Sequence, residues 1–138
     1  MKPAIAFAIS FLALAVTGPA FAQDPDDRTL SSQGDAGAGQ LTFLKCQACH
    51  TLGDMGTATV GPNLANIFGR MAGTSDSYTG YSKALKESGI IWNEGALNEW
   101  MNDPQNFLPG NKMPFAGIRG EQERKNLLAF LRQATETQ

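Results

Sequence analysis

Two cysteines and the only histidine of the chain lie within five consecutive positions, Cys46-Gln47-Ala48-Cys49-His50. Three chemistries use such a grouping: thiol–disulfide exchange, a structural zinc site, and covalent haem attachment through C-x-x-C-H. A thiol exchanger normally carries its cysteines where a strand leads into a helix, whereas this motif follows a predicted helix in a strand-poor chain. A structural zinc site needs four ligands, and two cysteines and one histidine supply three. The pattern therefore favours haem attachment.

The spacing of the motif suits this chemistry. Cys46 and Cys49, three positions apart, lie on nearly the same side of a helical turn, so both thiols can reach the two vinyl-bearing edges of one porphyrin. His50 then projects toward the iron, for which imidazole is a suitable axial ligand. Its other ring nitrogen is expected to donate to a carbonyl that fixes the ring.

A second axial ligand has to come from another residue type, because the chain has no further histidine. Methionine is the next candidate. Met55 lies only five residues beyond His50, and Met101 is on the apolar side of a predicted helix, where methionine usually serves packing. Met113 lies in the extended loop "LPGNKMPF", which can carry a thioether to the far face of a haem. Taken by itself, Met113 is explained more simply as a buried loop methionine, and Met71, in a Gly-rich loop, is a further candidate.

The start of the chain has the pattern of a secretory signal peptide. Lys2 gives a positive region, residues 5–16 are almost all apolar, and Ala20 and Ala22 precede the predicted cut. A retained membrane anchor is the alternative, but the apolar run is shorter than the roughly 20 residues that span a bilayer. We therefore predict that residues 1–22 are removed and that the protein is exported to the periplasm without stable membrane insertion.

Charge excludes one class of partner. Loss of Lys2 with the signal peptide leaves 10 basic residues against 13 acidic ones, a formal net charge of −3. A nucleic-acid-binding protein needs a basic stripe, and the sequence has none. We predict no nucleic-acid partner.

The remaining sequence predicts an all-α domain with long loops. Residues 23–33 are polar and acidic, which indicates a flexible lead-in, and residues 34–138 form the domain. Apolar spacing predicts four helices, with Asp35 capping the first and Asn93 the third. No segment alternates as a half-buried strand does. The helices are predicted over 36–48, 82–88, from Asn93 to Pro104, and 120–133, with a long loop over 52–77.

Five blocks of sequence then point to a family. "CQACH", "GPNLANIFGR", "GIIW", "NDPQNFLPGNKMPFAGI" and "ERKNLLAFLRQAT" follow one another in this order. From Gly34 to Thr135 the chain resembles a class I cytochrome c of the mitochondrial and bacterial type. The resemblance implies the cytochrome c fold, in which helices and long loops wrap one haem c bound through Cys46 and Cys49.

The same resemblance implies roles for single residues. Met113 would be the sixth iron ligand opposite His50, and the Pro62 carbonyl would accept a hydrogen bond from His50. Trp100 stands where the family commonly has a tyrosine whose hydroxyl bonds the methionine sulfur. A contact between the first and last helices is implied for Gly39, Phe43 and Phe130.

The resemblance also implies partners for the haem propionates. Arg70, Tyr81 and Trp92 would donate hydrogen bonds to them, since buried carboxylates need such partners. Asn111 replaces a usual threonine, and its amide can donate instead. The segment before Tyr81 is one residue longer than in common relatives.

Two axial ligands leave no open position on the iron, so the implied function is one-electron exchange at high potential rather than enzyme catalysis. A monomeric carrier of this kind would shuttle between membrane electron-transfer complexes or soluble redox enzymes. It would dock transiently at an exposed haem edge near Lys45, Lys112 and Arg119. A haem-based ligand sensor or weak peroxidase is the alternative if Met113 dissociates, and a fixed haem subunit of a larger complex is another.

Overall fold

The computed structural model of the protein describes residues 25–53 and 60–136. This part of the chain contains no strand, only an isolated bridge between Met71 and Ile91, and the predicted all-α class is confirmed. None of its helices has the length and apolar character needed to cross a membrane. The predicted signal peptide, residues 1–22, and Met55 lie outside the described residues. The helices are α1 (Ala36–Phe43), α2 (Lys83–Glu87), α3 (Glu94–Asn102), α4 (Pro104–Phe107) and α5 (Glu121–Glu136), preceded by 3₁₀ helices at Pro25–Arg28 and Ser31–Gln33.

Short polar side chains begin four of these helices by accepting a hydrogen bond from a backbone N–H of the first turn, as helix caps do. Asp35 accepts from Ala38 at 2.6 Å, as predicted for α1. Asn93 accepts from Ala96 at 2.8 Å, as predicted for α3. The remaining two caps are Ser82 before α2 and Asp103 before α4.

Helix α1 is shorter than predicted. It ends at Phe43 rather than near Ala48. The Cys46 N–H bonds to the Phe43 carbonyl at 2.8 Å and the Cys49 N–H to the Cys46 carbonyl at 3.0 Å, both three residues back. Such bonds tighten the chain out of the α-helical path. The cysteine motif therefore lies on a series of tight turns that continue from α1.

The first and last helices cross in close contact. A Cβ atom added to Gly39 would lie 1.9 Å from the Asn126 carbonyl oxygen, so only glycine allows this approach. The rings of Phe43 and Phe130 pack 5.4 Å apart beside it. The contact implied by the resemblance is therefore present, and it fixes where the motif after α1 lies relative to α5.

Helix α3 buries the apolar face that its sequence predicts, with Leu97, Trp100 and Met101 turned inward. Pro104 was expected only to close this segment. It is instead the first residue of α4, a position where proline's missing N–H has no helical partner to lose. The short helix α4 was not predicted.

The segment predicted as a flexible lead-in, residues 23–33, is described in the structure from Pro25 onward. These residues form the two 3₁₀ helices and contact α3 and α5. The carboxylate of Glu94 accepts from the N–H groups of Leu30 and Ser31, at 3.0 and 2.9 Å. Contacts with a buried charge order a segment whose composition alone indicates disorder.

Candidate cofactor cleft

A large cleft opens among the helices, and the space within it and in front of its open mouth amounts to about 1350 Å³. Both cysteines, His50 and Met113 lie on its walls. Much of the remaining wall is apolar and belongs to the buried core. The core residues that line the cleft are Phe43, Ile67, Trp92, Leu97, Trp100, Met101, Leu127 and Leu131.

Cys46 and Cys49 are free thiols in the structure. Burial raises the pKa of Cys46 to about 11, with Lys45 opposing the rise and Cys49 adding to it. A thiol with so high a pKa is protonated at neutral pH and is a poor nucleophile for disulfide exchange. Among the described residues no group of three or more His, Cys, Asp or Glu side chains could hold a metal ion. Two partly buried thiols on the wall of a cleft fit the role of covalent tethers.

His50 is held in one orientation from two sides. Its Nδ1 lies 2.8 Å from the Pro62 carbonyl oxygen, which can only accept, so Nδ1 carries the proton. Gly61 lies against the ring, where a Cβ atom would come within 2.8 Å of Cε1. Burial lowers the pKa of His50, and the bond to Pro62 opposes this. A neutral, oriented imidazole with Nε2 as the unprotonated nitrogen is the form that ligates a metal.

The loop that carries Met113 is fastened through its backbone. The Met113 N–H donates to Asn111 Oδ1 at 2.9 Å, and the Met113 carbonyl accepts from Gln105 Nε2 at 2.8 Å. Asn111 Nδ2 in turn donates to the carbonyls of Pro104 and Leu108, both at 2.8 Å. Side chains of α4 and the loop itself therefore set the path that presents Met113 to the cleft.

Two other methionines also reach the cleft, so position alone does not single out Met113. Met71 is 48% exposed and lies in the bridge with Ile91. Met101 is 7% exposed and packs within α3. Met101 belongs to a helix, whereas Met71 and Met113 both lie outside the helices. Of these two, Met71 is exposed and Met113 is partly buried.

The residues predicted to donate to the haem propionates also line the cleft. In the structure, Arg70 and Asn111 donate to backbone carbonyls. Arg70 donates to the carbonyl of Ala65 at 2.8 Å and to that of Asn63 at 3.1 Å. Burial lowers the pKa of Arg70, which the neighbouring Tyr81 opposes, and burial raises the pKa of Tyr81. The Asn111 amide donates to the carbonyls of Pro104 and Leu108, so the structure gives this residue a fastening role that its sequence position did not predict.

Trp100 is buried between two other aromatic side chains. Its ring lies 5.4 Å from Trp92, at 61°, and 6.2 Å from Phe107, at 82°. Edge-to-face pairs of this kind hold aromatic rings in place. The tryptophan therefore forms a rigid part of the cleft wall.

The cations predicted to receive a partner are mostly engaged within the chain. Lys45 Nζ lies 2.5 Å from Glu123 Oε1, and Arg119 lies 3.0 Å from Asp103. Lys112 is exposed beside Met113. The positive charge near the cleft is therefore locally balanced at two of the three predicted positions.

Residues 35–135 match the family model described as cytochrome c. The chain belongs to the cytochrome c family. A cytochrome with the two thiols and the oriented histidine found here carries one haem c, attached through Cys46 and Cys49, and the predicted cofactor is confirmed. Like its relatives, this cytochrome is an electron carrier.

Individual cytochromes resemble the chain over most of its described length. Cytochrome c of Chlamydomonas reinhardtii is 44% identical over 103 residues, which cover 74% of this chain and 91% of that protein. Cytochrome c-550 of Bradyrhizobium diazoefficiens is 46% identical over 98 residues, covering 71% of each chain. The solved structure of cytochrome cH from Methylobacterium extorquens matches with a TM-score of 0.67 at 39% identity, covering 72% of this chain and 99% of that one. The predicted cytochrome c fold is confirmed.

Proposed function

We propose that this cytochrome is an exported one-electron shuttle in which His50 and Met113 ligate the haem iron on opposite faces. The bound haem supplies the one-electron redox chemistry. The observation that best supports the ligand pair is the fixing of both residues, His50 by the Pro62 carbonyl and Met113 by Asn111 and Gln105. Residues held in one geometry need little rearrangement when the iron changes charge.

The surroundings of the ligands favour a carrier over an enzyme. A thioether ligand raises the reduction potential relative to a second imidazole, and an apolar wall disfavours the more highly charged oxidised state. The fastened Met113 loop weighs against ready dissociation, which a ligand sensor or peroxidase would need. We further propose that Arg70, Tyr81 and Trp92 donate hydrogen bonds to the propionates, while Asn111 serves the loop.

The absorption spectrum of the purified protein tests this ligand pair. We expect a thioether-to-iron band in the oxidised form and no binding of carbon monoxide when the protein is reduced. Excess imidazole, which competes for the sixth position, serves as the control and should abolish the band. A high-spin spectrum in the absence of added ligand would overturn the proposal.

We propose that residues 1–22 direct export and are cleaved, which places the carrier in the periplasm with a net charge of −3. Its partners would be membrane complexes or soluble redox enzymes that dock at the haem edge near Lys45 and Lys112. The mass of the N-terminal peptide of the periplasmic protein, which should begin at Gln23, checks the cleavage.

Weak electrostatic steering is the expected kinetic behaviour. Steering changes association rates by roughly 10- to 1000-fold in strongly charged pairs, but Lys45 and Arg119 are paired within this chain. We expect the rate of reduction by a membrane complex to fall by no more than about threefold between low and physiological salt. Stopped-flow measurements of the reduction rate at increasing ionic strength test this salt dependence.

The substitution Glu123→Gln provides a matched comparison, because it removes the partner of Lys45 without adding bulk. With an acidic partner it should raise the rate at low salt and steepen the salt dependence. A steep loss of rate with salt in the unmodified protein would contradict the prediction.

A further inference from the structure

Residues 25–33, here called the N-terminal strap, contact α3 through their first 3₁₀ helix and α5 through their second. At its far end Gln33 accepts hydrogen bonds from Gln122 and Lys125 of α5, at 3.0 and 2.9 Å. At its near end Asp27 Oδ1 accepts from the backbone N–H of Glu94 at 2.7 Å. The strap therefore adds a carboxylate to the N-terminus of α3, where negative charge is favourable.

Arg132 of α5 joins the strap to the rest of the fold. Its Nε donates to Glu94 Oε1 at 2.9 Å, and its Nη2 donates to the Asp27 carbonyl at 2.8 Å and to the Asp27 carboxylate. The guanidinium also lies 3.7 Å from the centre of the Phe68 ring. Arg132 is only 8% exposed and Glu94 only 1%. Charges this deeply buried persist only in a well-defined geometry, so the network determines how its members are placed.

The elements that meet at Arg132 each form part of the cleft wall. Helix α3 contributes one wall, α5 another, and the turns around Phe68 a third. A shift of any of these elements relative to the others would change the shape of the cleft. The wall residues from the three elements are Leu97, Trp100 and Met101, then Leu127 and Leu131, then Leu64, Ile67 and Arg70.

We propose that Asp27 is a positioning residue, through which the N-terminal strap holds α3 against α5 and so sets the cleft wall that faces the haem. It lies five residues beyond the predicted cut after Ala22, so the mature protein keeps it. By holding Trp100 and Met101 in place, the strap keeps the cleft closed on the side of α3. The placing of α3 by the strap does not depend on the proposed function. Any effect of the strap on ligation by Met113 rests on that function.

The variant Asp27→Asn, made in the full haem-loaded protein, tests the proposal because it keeps the shape of the side chain and removes its charge. Loss of one charge-assisted contact is expected to speed amide hydrogen exchange in the first turn of α3, at Glu94 and Leu97, by roughly tenfold. Exchange in α1, which the strap charge does not contact, should be unchanged. Imidazole should also bind the oxidised iron several-fold more tightly, since a looser wall lets Met113 leave more readily.

Two further variants complete the test. Asp27→Glu should restore most of the protection of α3, and Asp76→Asn, at an exposed carboxylate without a role in the network, should behave as the parent. Equal acceleration of exchange in all helices, or none in any, would overturn the positioning role. If exchange accelerates only in α3 and the unmodified protein lacks the thioether band, the positioning role of the strap stands and ligation by Met113 is refuted.

Discussion

Replacing Met113 with alanine is expected to open one face of the iron and to lower its reduction potential by a few tenths of a volt, within the span of roughly 0.8 V that axial ligands set. The Met113 loop is held by backbone contacts to Asn111 and Gln105, so the substitution should leave the loop path intact. The oxidised protein should lose its thioether band, and the reduced protein should gain carbon monoxide binding. Potentiometric titration followed by absorption measures both effects.

Met101→Leu and Met71→Leu are the matched controls, because both methionines also line the cleft. Each should keep the thioether band and shift the potential far less than Met113→Ala does. Loss of the band in either control, with retention in Met113→Ala, would move the ligand to that other methionine and end the proposal for Met113.

Replacing Glu94 with glutamine is expected to lower the free energy of unfolding by about 3–5 kcal/mol, the usual cost of breaking a buried ion pair by removing one partner. The Glu94 carboxylate accepts from Arg132 and from the N–H groups of Leu30 and Ser31, and it is 1% exposed. The glutamine amide would place its own N–H donors against groups that donate to the carboxylate. It would also leave the positive charge of Arg132 less well balanced. Urea unfolding of the haem-loaded protein measures the change.

Glu99→Gln is the control on the same helix, at an exposed position. It should change stability by less than about 0.5 kcal/mol, as surface substitutions generally do. A similar slope of unfolding free energy against urea in both variants would show that they unfold to comparable states. If Glu94→Gln cost no more than Glu99→Gln, the buried network would not have the energetic weight that its burial implies.

The features predictable from sequence were those that depend on neighbours along the chain. Asp35 and Asn93 cap helices through residues three positions away, and the apolar spacing of Leu97, Trp100 and Met101 marks the buried face of α3. The end of α1 was misplaced because helical propensity does not register the tight turns that follow Phe43. The contacts of residues 25–33 could not be predicted, because Arg132 and Asp27, 105 positions apart, become partners only in the fold.

In the candidate site, too, only the residues that are close together in sequence could be predicted from their pattern. The cysteine motif is contiguous, so its chemistry could be inferred from spacing, whereas Met113 needed the family resemblance because its loop lies far along the chain from His50. Asn111 was interpreted as a propionate donor, yet its amide faces the carbonyls of Pro104 and Leu108. The pairing of Lys45 with Glu123 likewise joins residues 78 positions apart, which no local pattern indicates.

Trp92 and Trp100 are the only tryptophans of the chain, and both lie on the cleft wall, 5.4 Å apart. The tryptophan fluorescence of this protein therefore arises from one location, on the wall of the haem cleft. Energy transfer to a porphyrin bound in the cleft would quench this emission almost completely. The chain thus contains its own optical reporter of cofactor loading, with which haem attachment during biogenesis can be followed without any added label.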